Sequence, residues 1–166
     1  MKHPSTLQVT TPREREVVLT RVFAAPRRLV FDAWTKPDLV RRWLLGPPGW
    51  TMPVCEIDLR VGGAYRFVWR GPDGTEMGMG GVHREITVPE RIVTTQLFDQ
   101  DWTGGETVGT LVLVERDGMT TVTNTVLYAS REARDAALET GMADGVAAGY
   151  ARLDVLLAAT SVEEVK

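Results

Sequence analysis

The sequence predicts an α+β domain: a curved antiparallel sheet of six or seven strands closed around one long C-terminal helix, with two short helices after the first strand. Three observations carry this expectation. The hydrophobic period changes from about four residues to two near Thr51. Glycine and proline then punctuate the middle of the chain at short intervals. A broad apolar stripe of helical spacing returns only in the last third.

The elements follow in order. Residues 16–23 are rich in Val, Leu and Phe and read as a strand. Ala25-Pro26 ends it, and Pro26 suits the first turn of a helix, in which Leu29, Val30, Ala33 and Trp34 share a face. Pro37 opens a second short helix carrying Val40, Trp43 and Leu44, which must stop before Gly46-Pro47-Pro48-Gly49. Residues 54–59 form the next strand, and Gly62-Gly63 turns the chain into one where Tyr65, Phe67 and Trp69 alternate with Arg66, Val68 and Arg70. One face of that strand is aromatic and the other basic. After the tight turn Gly71-Pro72-Asp73-Gly74 comes a long strand to Ile86, whose Gly78, Gly80 and Gly81 predict a bulge or bend. Pro89-Glu90 turns into the strand 91–98, the loop 99–105 reads as open, and 107–115 with 120–128 form a hairpin around Arg116-Asp117-Gly118.

Ser130 is the N-cap of the last helix, with Glu132 near the positive end of its dipole. Leu138, Met142, Val146, Tyr150, Leu153 and Leu157 form its apolar stripe. Beside it runs a small-residue stripe, Ala133, Ala137, Gly141, Gly145 and Gly149. Each helical glycine costs about 1 kcal/mol relative to alanine, and three explanations stand open: close approach to the sheet, a break near Gly141, or space for a ligand. Residues 1–13 read as a flexible tail, 14–159 as the domain, and 160–166 as a second tail.

Bulk properties exclude several functions. The composition, 43% hydrophobic and 25% charged, is that of a globular domain. A net charge of −3 with scattered Lys and Arg does not suit phosphate neutralisation, so no nucleic-acid partner is expected. The polar N-terminal lead lacks a secretory core and no run reaches membrane-spanning length, so we expect a cytoplasmic protein without a membrane partner. Cys55 is the single cysteine, which precludes an internal disulfide and a cysteine-based zinc site and reads as a small buried hydrophobe.

The order of several strings resembles a known superfamily. They are Arg21-Val22-Phe23-Ala24-Ala25-Pro26, Val30-Phe31-Asp32-Ala33-Trp34-Thr35, Trp43, Gly46-Pro47, and Asp58-Leu59-Arg60-Val61-Gly62-Gly63. Pro72-Asp73-Gly74, Pro89-Glu90-Arg91-Ile92 and the closing Gly141-Met142 to Gly145 complete the set. The chain resembles the START-like helix-grip superfamily of birch-pollen-allergen-like proteins and polyketide cyclases. Within it, the chain is similar to the family named after the activator of the heat-shock-protein-90 ATPase. The resemblance implies the sheet-and-helix architecture above and a cavity between sheet and helix, but no particular reaction. With 166 residues taken up by one such domain, the additional chaperone-docking domain of the family's namesake is not expected here.

Catalytic signals are sparse. The two histidines, His3 and His83, are too few for a metal site, so neither metal nor cofactor is expected. No Gly-x-Ser-x-Gly elbow occurs, and Gly78 to Gly81 lacks the lysine of a phosphate loop. His83 and Glu85 on the bent strand are the weak acid–base candidates, with Glu76 nearby, while Asp58 and Arg60 read as a structural ion pair. What remains is a lining: Tyr65, Phe67 and Trp69, Met77 and Met79, and Met142, Val146 and Tyr150, with Trp34 and Trp43 at one end. Met repacks around different shapes, so the expected function is enclosure of a small hydrophobic or aromatic ligand, with Tyr65 and Tyr150 as polar handles. A cyclase- or hydrolase-like enzyme using the same cavity and a chaperone-associated interaction module are the alternatives. A homodimer through the exposed sheet or the 99–105 loop stays open.

Overall fold

A computed structural model describes residues 6–100 and 104–165 of the chain. His3 and the centre of the 99–105 loop lie outside the described residues. In chain order the elements are β1 (Gln8–Thr10), β2 (Glu16–Phe23), α1 (Arg27–Thr35), α2 (Pro37–Trp43), β3 (Thr51–Ile57), β4 (Ala64–Arg70) and β5 (Glu76–Thr87). They continue with β6 (Arg91–Phe98), β7 (Thr107–Arg116), β8 (Met119–Leu127), α3 (Arg131–Glu139) and α4 (Met142–Val165).

The eight strands form one antiparallel sheet in the order β1-β2-β8-β7-β6-β5-β4-β3. Six consecutive strands, β3 to β8, make a meander, which short turns permit only between antiparallel neighbours. β2 lies beyond β8 while β3 is the opposite edge, so α1 and α2 carry the chain across the sheet from one side to the other. The face they cross is the one that packs on α4. Phe23, Val30, Trp43, Leu113, Val122, Tyr150, Leu153 and Leu157 are all buried in this layer. Arg21 of β2 grips Asp154 of α4 through two bonds of 2.8 and 2.5 Å, and its guanidinium lies 4.6 Å from the centre of the Phe23 ring. This bidentate pair holds the C-terminal helix across the sheet.

The sequence expectation of six or seven strands falls short because the N-terminal lead supplies an edge strand, with Val9 opposite Leu19. The long helix is two helices. Ser130 caps α3 by accepting the Ala133 N–H at 3.0 Å, and Gly141, at φ +82°, ends the run before α4 starts. A left-handed residue there is inexpensive only for glycine. Gly149 has a different reason: a Cβ would lie 3.0 Å from the Trp43 carbonyl oxygen, so α2 and α4 approach backbone to backbone. α4 also runs on to Val165, past the boundary expected at residue 159. In the middle of the sheet, the bend expected at the glycines of β5 falls instead between His83 and Glu85, where the pairing with β6 shifts register. Gly81 serves close packing, since a Cβ there would run into the Thr95 carbonyl of β6. No helix among the described residues is long and apolar enough to cross a membrane.

Candidate functional site

Two adjoining pockets, of about 340 and 250 Å³, lie on the concave face of the sheet, the first against α4 and the second against Trp34 and Thr35 of α1 and Leu44. Both touch Trp34, Leu44, Trp69, Phe98 and Asn124, so these five residues form the neck between an outer and an inner compartment. The outer pocket is bounded by α1, the end of α2 with the following 44–50 segment, and the first turns of α4, with Met77 of β5 facing them. The inner pocket reaches along the sheet to β4, β5, β6 and β7.

The structure brings the expected lining residues together. Trp34, Trp43, Trp69, Met77, Met142, Val146 and Tyr150 surround the outer pocket. Tyr65, Phe67 and Met79 surround the inner one, together with His83. Each long side chain is held by its neighbours. The Trp43 indole donates to the Ala33 carbonyl at 2.9 Å, and the Trp69 indole to the Leu44 carbonyl at 2.7 Å. Ring contacts link Trp34 to Trp43 at 4.5 Å and to Tyr150 at 5.8 Å, while Trp69 stacks on Phe98 at 6.4 Å. These tethers make the wall preorganised.

Expected polar groups fare differently. The Tyr65 hydroxyl donates to the Thr95 carbonyl at 2.6 Å, so its proton is already committed and it is a weaker handle than the sequence suggested. The Tyr150 hydroxyl has no hydrogen-bond partner among the described residues, and burial holds its pKa above that of an ordinary phenol. His83 is 5% exposed, and its Nδ1 lies 3.0 Å from the Gly63 carbonyl. In the neutral ring, Nδ1–H donates to that carbonyl, which leaves Nε2 as an acceptor.

Of the two acid–base candidates, His83 lines the inner pocket and Glu85 does not. The register shift between them turns Glu85 outward, where it is exposed and meets Arg91 at 3.3 Å. Glu76 is likewise outside, on Arg70. Asp58 and Arg60 form an exposed ion pair at 2.9 Å, beside the turn in which Gly63 N–H bonds to the Arg60 carbonyl. No Asp, Glu, Lys or Arg lines either pocket among the described residues, and none of their acidic, His and Cys side chains cluster as a metal site would require.

Several lining residues escape the sequence reading: Trp50, Phe98, Asn124, Thr94 and Gln96. For four of them a signal existed. Side chains alternate across a strand, so the even-numbered positions of β6 share the inward face with Ile92, and Asn124 shares the inward parity of Val122 and Val126 on β8. Trp50 sits in an irregular segment with no period to read.

Comparison with known proteins gives one family and many similar structures. A family model described as activator of Hsp90 ATPase homologue 1-like protein matches residues 24–158. Among solved structures, a protein from Rhodobacter sphaeroides is 36% identical with a TM-score of 0.88, covering 93% of this chain and 99% of that one. A protein from Nitrosomonas europaea, at 23% identity, superimposes with a TM-score of 0.81 over 92% of this chain and 99% of its own. An AHSA1-like protein from Aeromonas hydrophila, at 18% identity, reaches a TM-score of 0.67 over 84% of this chain and 93% of its own. The last two speak to the fold alone. No curated protein matches the chain.

Proposed function

The chain belongs to the activator of Hsp90 ATPase homologue 1-like family, and from that premise we propose that it binds a small hydrophobic or aromatic molecule between the sheet and α4. The observation that carries this reading is the uncharged, aromatic- and Met-rich lining of the two adjoining pockets, mounted on hydrogen-bonded tryptophans. Rigid tryptophans set the shape of the space. Met77, Met79 and Met142 let it adjust to different outlines. Binding in such a pocket gains from burial of apolar surface at roughly 25 cal/mol per Å². The protein acts in the cytoplasm on this reading, in keeping with a lone, buried and unpaired Cys55.

Geometry favours binding over acid–base chemistry, because Glu85 lies outside the pocket and leaves His83 without a carboxylate partner. The family name points to an ATPase chaperone, a third role that needs a protein-docking surface rather than this pocket. The test is native mass spectrometry of freshly purified protein, then denaturing extraction, with a panel of apolar compounds added to the emptied protein. A retained or rebound apolar compound supports the proposal. An empty protein that no compound of the panel stabilises against heat overturns it.

A further inference from the structure

The polar groups of the pocket are distributed unevenly, and this asymmetry specifies the ligand more closely. Toward α4 the wall is apolar apart from Tyr150, while beyond the neck the sheet offers His83, Thr94 and Gln96. Asn124 stands at the neck and is shared by both pockets. Its side-chain amide has no hydrogen-bond partner among the described residues. Gln96 is half-used: its Oε1 accepts from the Thr107 hydroxyl at 2.9 Å, while its Nε2 has no partner among the described residues. His83 Nδ1 is engaged by the Gly63 carbonyl, so Nε2 is the free acceptor. These groups face the pocket space, where a ligand's polar group can meet them.

We infer that the ligand carries one uncharged hydroxyl on an apolar or aromatic body, with the hydroxyl in the inner pocket beyond the neck and the body in the outer pocket. The inference rests on the cavity-binding proposal above. A hydroxyl fits because its O–H donates to an acceptor such as His83 Nε2, while its oxygen accepts from an amide such as that of Asn124 or Gln96. A carboxylate would find no Lys or Arg on the lining, and an ammonium group no Asp or Glu.

Three probes of one shape test this: biphenyl, biphenyl-4-ol and biphenyl-4-carboxylate, measured by equilibrium dialysis at neutral pH. Biphenyl-4-ol is expected to bind about tenfold more tightly than biphenyl, a difference of ~1.4 kcal/mol, and the carboxylate more weakly than either. In His83→Leu and Asn124→Leu the preference for the alcohol, read as the ratio of the two affinities within each variant, should fall below about threefold. Because His83 also supports the Gly63 turn, Asn124→Leu decides alone where His83→Leu does not fold. Equal binding of biphenyl and biphenyl-4-ol, tighter binding of the carboxylate, or an undiminished preference in Asn124→Leu overturns this inference and leaves the cavity proposal standing. Failure of all three probes, with nothing retained on purification, overturns both.

Discussion

Alanine at Gly145 and at Gly149 should have opposite effects on stability. Both residues lie on α4, one helical turn apart, so each substitution brings the same gain in helix propensity, about 1 kcal/mol. What differs is the space for the new methyl. At Gly145 the nearest atoms to an added Cβ are Gly46 Cα and Pro47 Cδ, both at 3.9 Å, an ordinary contact. At Gly149 the Cβ would sit 3.0 Å from the Trp43 carbonyl oxygen. That oxygen is not free to retreat, since it accepts the Leu45 N–H at 2.8 Å and the Trp43 indole is tied to Ala33. Gly145→Ala should therefore stabilise by about 1 kcal/mol, or roughly 2–4 °C in Tm for a chain of this size. Gly149→Ala should lose that gain to overpacking and come out destabilised by about 1 kcal/mol. Urea titrations followed by circular dichroism read both midpoints, and the difference between variants cancels the propensity term. Equal stabilisation by the two substitutions would refute close helix–helix approach as the reason for Gly149.

Three further predictions use the same kind of bookkeeping. Gly81→Ala places a methyl against the Thr95 backbone, where neither strand can yield, and should cost about 1–3 kcal/mol or more by chemical denaturation. Ser130→Ala removes the acceptor of the Ala133 N–H and should cost about 1 kcal/mol, with Ser130→Asp restoring most of it. Burial pushes the Tyr128 hydroxyl up to about 12. A raised folded-state value means its contribution is fully present below pH ~10 and is lost as pH rises toward 12, on the order of 2 kcal/mol. Tyr128→Phe should flatten that alkaline decline in denaturant midpoint, and an unchanged slope would contradict the assignment.

Much of the fold was legible because the strongest signals were local. Glu16–Phe23 and Arg91–Phe98 occupy the spans that their β-rich composition marks. Asp117 and Gly118, at φ 55° and 76°, make the tight hairpin turn expected from their residue types. The first strand was illegible for the opposite reason: Gln8–Thr10 is three residues long, exposed throughout, and exists only because β2 presents an edge to pair with. Gly141 carries no sequence mark that separates it from Gly149, yet one breaks the helix and the other lets two helices touch. Only tertiary contacts distinguish them.

For the site, alternation placed Tyr65, Phe67 and Trp69 on one face correctly because β4 has no bulge. The same rule lost track of His83 and Glu85, since a register shift between them reverses the parity on which it depends. Asn124 was readable in principle, as a polar residue at an inward position between Val122 and Val126. Its position where the two pockets adjoin follows only from the tertiary packing.

The six methionines supply the most direct measurement of the central claim. Met77, Met79 and Met142 line the pockets, while Met52 is buried under α2 with Val40 and Cys55, and Met119 lies at the far hairpin. With ¹³C-labelled methionine methyl groups, titration of an apolar ligand such as biphenyl-4-ol should shift the Met77, Met79 and Met142 signals and leave those of Met52 and Met119 in place. Saturation by the ligand with these three methyl signals unmoved, or with Met119 moving as far as they do, would contradict a binding cavity between the sheet and α4.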